Sequence, residues 1–372
     1  MLPRMTDWYR IDNAADVPSP ALLIYPERVR ENLLQMIQLV GDPARLRPHV
    51  KTHKMPEIIR LKRELGIRKF KVATIAEAEM TAANGGEDVL LAYQPVGPNV
   101  QRLLKLVATF PHTHFSTLVD NQASLSAIAD AAQEAGTTLD LYLDLNIGMN
   151  RTGIIPSAAA LELYRQIAAT AGVRAAGLHA YDGHLHDVSP TVLAAQVRET
   201  FQPVWELREQ LQTHGLEVPN LIAAGTPTAK TLAEYPELEV GPGTTVLWDF
   251  GQAAVSPGMG FQQAAMLLAR VISHPAPHLI CIDLGHKAVA SEMPHPRVRF
   301  FGLEQAATIV HSEEHLVLEV EDQDAFPVGT VLYGVPKHIC PTVALHQQAY
   351  CVRAGKAAET WPITARNRQL TI

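Results

Sequence analysis

At 372 residues, with 47% hydrophobic and 19% charged side chains, the chain has the make-up of an ordinary globular protein, large enough for one big domain and a smaller one. Its formal net charge of -7 excludes a general nucleic-acid binder, which needs a basic surface, and leaves room for a local basic pocket around a phosphate. No apolar run reaches the length of a membrane span, and the start MLPRMTDWYRIDNAADVPSP lacks the apolar core of a secretory signal; Cys281, Cys340 and Cys351 make no disulfide framework, so a reducing cytoplasm is expected.

ALLIY (21–25) is the first apolar run, and it suits either domain. From RLRPHV (45–50) onward, short apolar runs alternate with helical patterns. The runs are KFKVAT (69–74), DVLLAY (88–93), HFSTLV (114–119), DLYLDLN (140–146), AAGLHAY (175–181), NLIAAG (220–225) and LEVGPG (238–243). Between them, IAEAEMTAANGG (75–86) and SAAALELYRQIAATAG (157–172) carry apolar residues at helical spacing, the second ending on a glycine as helices often do. Strand–helix alternation implies a parallel sheet, and roughly eight units over about 200 residues fit a closed (β/α)8 barrel better than a doubly wound open sheet. After about residue 265 the texture changes. LLARVISH, LICIDLG, VRFFGL, HLVLEV, TVLYGV and AYCVRAG are β-rich, with no long helical pattern between them. The expected division is a barrel over 27–265 and a β-rich domain over 266–372 together with 1–26.

In a β/α barrel the C-terminal strand ends face the active site. Here they bring together His49, Lys51, Thr52 and His53; Thr74 and Glu77; Tyr93 and Gln94; Asp120; Asn146 to Arg151; His179, Tyr181 and His184; Gly225 and Thr226; and Gly241 and Gly243. Lys51 directly follows the apolar Val50. Desolvation in a barrel mouth would disfavour its ammonium and make it an amine nucleophile, while a plain surface lysine beside Lys54 is the competing reading. AAGTPT (223–228) and GPGTT (241–245) follow the last two strands, where glycine backbone and Thr hydroxyls can cradle a phosphate, although Gly-Pro-Gly is also a simple turn.

HLH (184–186) and HSEEH (311–315) carry histidines at spacings that chance also produces in a chain with 16 of them. In PKHICPT (336–342), His338 and Cys340 are two apart and would share a face of an extended strand, a pair suited to Zn²⁺; spacing alone favours a buried thiol and a surface imidazole.

RPHVKTHK (47–54), ATIAEAE (73–79), LLAYQPVGPN (90–99), GMNRTGI (148–154), GLHAYDGH (177–184), GTPT (225–228), VGPGT (240–244), DLGHKAV (283–289), HSEEH and PKHICPT resemble, in one consistent order over nearly the whole chain, the D-threonine aldolase and D-serine dehydratase family. That family belongs to the fold type III pyridoxal-phosphate enzymes, with alanine racemase a more distant relative. The resemblance implies an alanine racemase-like barrel with a β-rich C-terminal domain. It makes Lys51 the Schiff-base lysine, with His49 beside it. It assigns Gly225, Thr226, Gly243 and Thr244 to the phosphate of pyridoxal 5'-phosphate, and puts Arg151 near the cofactor ring and Tyr181 at cofactor or substrate. His338 and Cys340 become ligands of a divalent metal, Zn or Mn. It also implies a homodimer acting on a small amino acid, with no membrane or nucleic-acid partner.

Two chemistries are open within the family. An aldolase cleaves a D-3-hydroxy amino acid such as D-threonine to glycine and an aldehyde. A dehydratase eliminates the β-hydroxyl from D-serine or D-threo-3-hydroxyaspartate. The soft thiol of Cys340 favours Zn²⁺ and so leans toward the dehydratase, while the wording of HAYDGHLHD and LLAYQPVGPN lies nearer the aldolase branch, which is placed first. Amino acid racemization and a non-catalytic cofactor carrier are the remaining alternatives. A neutral imidazole suits the proton transfer, and His184 and His179 are the candidates, with Tyr181 alongside.

Overall fold

The computed structural model describes residues 7–186 and 189–372. The opening MLPRMT and the Asp187 that closes HAYDGHLHD lie outside them. Two compact units form, one from residues 7–33, 52–58 and 244–366, the other from 34–51, 59–186, 189–243 and 367–372. Among the described residues no helix is long and apolar enough to cross a membrane.

In chain order, β1 (Ala21–Ile24), α1 (Pro26–Val40) and α2 (Pro56–Glu64) come first. Then β2 (Lys69–Val72), α3 (Ile75–Ala83), β3 (Asp88–Leu91), α4 (Pro98–Thr109), β4 (His114–Val119), α5 (Gln122–Glu134), β5 (Leu139–Leu145), α6 (Ala158–Ala169), β6 (Val173–Ala180), α7 (Pro190–Thr213), β7 (Asn220–Ala223), α8 (Ala229–Leu232) and β8 (Leu238–Val240) alternate as expected. Local signals set the helix starts. Thr74 accepts the Glu77 N–H, Asn121 accepts that of Ser124, and Pro98 stands in the first turn of α4, where its missing donor costs nothing.

β2 to β8 form one parallel sheet in sequential order. The run 45–50, expected as a strand, makes only isolated bridges, Leu46 to Val240 on β8 and His49 to Lys71 on β2, and then tightens into a 3₁₀ turn over Val50–Thr52. Pro48 is the reason: it accepts the Lys71 N–H through its carbonyl but has no N–H of its own to continue a ladder. The bridges nevertheless join β8 to β2, so the ring is completed through residues 46–49. Leu90, Leu118, Tyr142, Ala176 and Ile222, one each from β3 to β7, fill the interior.

At the N-terminal strand ends a chain of ion pairs runs around the barrel. Lys69 pairs with Glu239, which meets Arg47 Nε at 2.6 Å. Arg47 reaches Asp88 at 2.6 and 3.0 Å; His114 lies between Asp88 (3.5 Å) and Asp140 (2.9 Å), and Arg174 closes on Asp140 at 2.7 Å. Arg47 is only 1% exposed. Arg47→Met is therefore expected to cost about 3 kcal/mol in denaturant unfolding, because the buried Glu239 and the part-buried Asp88 each lose one of their cationic partners. The same network holds the His114 imidazole up at about 9, through its hydrogen bonds to Asp140 and then Asp88, against the lowering effect of burial. A base raised in the folded state contributes fully below its unfolded value near 6.5 and loses that contribution as pH rises through its folded value. Stability should fall across that window, and a His114→Asn protein should show a flatter profile.

The other unit is built on a mixed sheet of β9 (Ala265–Ser273), β10 (Leu279–Ile282), β11 (Val298–Phe300), β12 (Ala307–His311), β13 (Leu316–Glu319), β14 (Val331–Pro336), β15 (Gln348–Arg353) and β16 (Lys356–Pro362). Its order is β12-β13-β10-β9-β1-β15-β16, with β14 also on β9 and β11 on β14. ALLIY thus belongs here: β1 runs antiparallel to β9 and parallel to β15. Leu23, Tyr25, Met266, Leu268, Tyr333 and Val352 share its core. Two short helices interrupt the β texture, α9 (Phe250–Val255) and α10 (Ile339–Leu345). The second bears on the expected metal pair.

Candidate active site

Tyr181 follows β6 directly, and three cations face its ring. The distances to its centroid are 4.7 Å from the Arg151 guanidinium carbon, 5.8 Å from Lys51 Nζ and 5.7 Å from Lys71 Nζ. Lys51 and Arg151 were expected in the site, and the fold brings them to one aromatic surface from chain positions 100 residues apart. Lys71 was not expected. Lys51 sits in the 3₁₀ turn and is half-buried, with its N–H donated to His49 Nδ1 at 3.3 Å. The desolvated strand lysine is Lys71, 2% exposed, whose ammonium burial lowers to about 7, with Lys51 and Arg47 adding in the same direction. The signal was present in KFKV: a lysine flanked by Phe70 and Val72 in a strand of a doubly covered sheet has its alternate face in the barrel.

His49 and His179 are both buried and held neutral near pH 7, chiefly by desolvation. His179 Nδ1 lies 2.7 Å from Asp144 Oδ1. The carboxylate accepts, so the ring proton is on Nδ1 and Nε2 presents a lone pair; that Nε2 is buried with no hydrogen-bond partner. Asp144 also takes the Thr152 hydroxyl, and Asp120 takes the Gly153 N–H, so the loop that carries Arg151 is tied down at both carboxylates. His184 stands over Gly148, where a Cβ would lie 2.7 Å from its Nε2, and its Nδ1 is buried without a partner. Asp182, which the sequence reading passed over, is 1% exposed; its Oδ1 accepts the Gly225 N–H at 2.6 Å while its Oδ2 is buried with no partner. Both amides credited to the glycine turns are thus paired within the protein, that of Gly225 with Asp182 and that of Gly243 with Thr226. The turns do meet: Gly243 N–H donates to Thr226 Oγ1 at 3.2 Å.

In the β-rich unit, His338 and Cys340 are not on a strand. His338 caps α10 and Cys340 lies in its first turn, because Asp249 Oδ2 accepts the Ile339 N–H and Pro341, harmless so early in a helix, fixes the backbone. The shared-face argument for an extended strand therefore does not apply, yet the two side chains lie close enough to interact, and His338 Nδ1 hydrogen-bonds Glu292 Oε1 at 2.5 Å. Thr52 and Thr244 place their hydroxyls 3.2 and 3.8 Å from Cys340 Sγ. Among the described residues no group of three or more His, Cys, Asp or Glu forms a metal shell, and this covers the HLH and HSEEH histidines as well. HSEEH begins on His311, the last residue of β12, and runs through the turn to β13.

Residues 24–247 match the family model described as alanine racemase, N-terminal domain, and residues 264–352 match that of a putative serine dehydratase domain. D-threonine aldolase of Arthrobacter sp is 31% identical over 95% of this chain and 94% of its own. The chain belongs to the D-threonine aldolase family. A 3-hydroxy-D-aspartate aldolase of Paracoccus denitrificans (strain Pd 1222) is 29% identical over 95% of this chain and 93% of its own. The solved D-threonine aldolase of Filomicrobium marinum matches with a TM-score of 0.89 at 29% identity, covering 96% of this chain and 97% of that one. The fold is accordingly alanine racemase-like with a β-rich C-terminal domain, and the family makes this chain a pyridoxal-phosphate-dependent lyase.

The residues present fit that cofactor. A phosphate and an aldehyde-bearing ring call for cations, an amine nucleophile and polar atoms without internal partners. The barrel supplies Lys51, Lys71 and Arg151 around one ring, joined glycine turns, and the unpartnered His179 Nε2 and Asp182 Oδ2.

Proposed function

We propose that this chain cleaves D-3-hydroxy amino acids of the D-threonine type to glycine and an aldehyde, with Lys51 carrying pyridoxal phosphate and His338 and Cys340 holding a divalent ion. The observation that carries this reading is the convergence of Lys51 and Arg151 on the Tyr181 ring, in a barrel that also holds a partnerless His179 Nε2. When bound, the cofactor supplies an electron sink conjugated to the substrate α-carbon.

The chain's own residues do the rest. Thr226 and the Gly243 turn hold the phosphate, with Thr244 next in sequence. Arg151 fixes the ring by its cation. The Asp144–His179 pair supplies a buried, neutral imidazole of fixed orientation. We assign the uptake of the β-hydroxyl proton to His184, half-buried and with one ring nitrogen without a hydrogen-bond partner, ahead of the other candidate, His179. The metal would sit on Cys340 Sγ and the His338 nitrogen left over once Nδ1 is bound to Glu292. A carboxylate behind a ligating imidazole is the usual supporting partner, and the ion would supply a Lewis acid for the substrate β-oxygen.

Gly148 gives a test of His184. A side chain there collides with the imidazole and must also tolerate a φ of +123°. Gly148→Ala is expected to lower turnover about 10²-fold, the scale of a displaced acid–base group, while cofactor absorbance is kept. Unchanged turnover would remove His184 from the role.

The second reading is β-elimination, favoured by the serine dehydratase match over 264–352 and by the softness of the Cys340 thiol. Incubating the purified protein with D-threonine and with D-serine, with Mn²⁺ and with Zn²⁺, and measuring glycine and pyruvate separately decides between them. Glycine from D-threonine supports the aldolase; pyruvate from D-serine without glycine overturns it. The reading includes a homodimer, to be checked by light scattering, and a cytoplasmic location in keeping with three free cysteines.

A further inference from the structure

Two buried cations of the barrel unit differ in one respect. Arg47, at the N-terminal strand ends, is neutralised by Asp88 and Glu239 in direct contact. Lys71 is as deeply buried, yet among the described residues its Nζ has no ion-pair or hydrogen-bond partner. Its charged neighbours are of both signs and none forms an ion pair with it: Lys51 and Arg47 repel it, Asp182 and Asp144 attract it, and His49 and His179 are uncharged imidazoles. Burying an amine in such surroundings destabilises the fold, so its presence calls for a ligand that supplies the missing acceptor.

Position says where that ligand is. Lys71 pairs in register with Leu90, whose side chain belongs to the barrel interior. Its Nζ faces the same Tyr181 ring as Lys51 Nζ. It also lies directly over Gly241, the first residue of the GPGT turn, where a Cβ would be 2.7 Å from the nitrogen. A side chain at 241 would push the ammonium out of that space.

We propose that Lys71 is a cofactor-binding residue, whose ammonium donates to an acceptor atom of the bound pyridoxal phosphate beside Gly241. The inference rests on the cofactor reading above and adds a ligand on β2. The test uses the full chain stripped of cofactor and titrated with pyridoxal phosphate, with binding followed by absorbance and the apoprotein's melting temperature measured alongside. Lys71→Met keeps the length of the side chain and removes the amine. It should raise the Kd by about tenfold to a hundredfold, the value of one hydrogen bond from a charged donor, while the apoprotein melts at the same or a higher temperature because a buried amine is gone. Lys71→Arg should recover part of the affinity. Lys62→Met, which removes another fully buried lysine, is expected to leave the Kd unchanged. In the wild-type protein, acylation of Lys71 by acetic anhydride, read by peptide mass spectrometry, should be suppressed by the cofactor.

Wild-type uptake of pyridoxal phosphate with an unaltered Kd in Lys71→Met overturns this inference alone. So does a joint fall in affinity and apoprotein melting temperature that arginine does not restore, which marks Lys71 as structural. A wild-type chain that takes up no pyridoxal phosphate overturns the cofactor reading, and this inference with it.

Discussion

Lys51→Ala protein is expected to lose turnover by at least about 10⁴-fold, the scale on which enzymes lose activity when a covalent nucleophile is removed. The visible absorbance of the lysine-bound cofactor should vanish with it, and borohydride should label no peptide containing residue 51. Added pyridoxal phosphate should still bind, more weakly, because the phosphate turns and Arg151 remain. The structure also names the competing amine. Lys54 is three residues on, but Lys71 Nζ faces the same Tyr181 ring as Lys51 Nζ, at 5.7 against 5.8 Å. An active Lys51→Ala protein carrying a borohydride label on Lys71 or Lys54 would show the assignment to be wrong.

The second large effect concerns the pair at the start of α10. Cys340→Ala, or chelation of the wild-type protein, is expected to abolish turnover while leaving the Lys51-bound cofactor absorbance in place, since the thiol's role is to hold the ion and not the cofactor. Cys340→Asp makes a harder donor set and should move the metal preference from Zn²⁺ toward Mn²⁺. Glu292→Ala leaves both ligands but removes the acceptor 2.5 Å from His338 Nδ1, and should weaken metal affinity by about 10- to 100-fold. Metal content measured with activity, before and after chelation, is the check. A metal-free protein with full activity would remove the ion from the reaction, and with it the metal argument for choosing between cleavage and elimination.

By itself the sequence determined the layout of the chain. Seven of the expected barrel runs are strands, because parallel strands covered on both faces must be short apolar runs, and turn residues mark their ends. It also marked out Lys51, Arg151, Tyr181 and the two glycine turns as strand-end residues, since in a β/α barrel every such loop opens on the same face.

What it did not determine are properties of pairs distant in the chain. The 45–50 segment fails as a strand because Pro48 has no donor to give, and whether two bridges suffice there depends on β8 and β2 lying on either side. His338 and Cys340 meet on a helix start because Asp249, some 90 residues earlier, caps it, a partner that spacing within PKHICPT does not reveal. The desolvated lysine proved to be Lys71 and not Lys51. Burial is set by the register of β2 against β3 and by the absence of a side chain at Gly241, whereas a residue's neighbours in sequence report only which face it occupies. The roles of Asp144 and Asp182 are of the same kind. A carboxylate in an apolar strand or turn is unremarkable until folding brings an imidazole to one and an amide to the other, and leaves a second oxygen of Asp182 with nothing to bind.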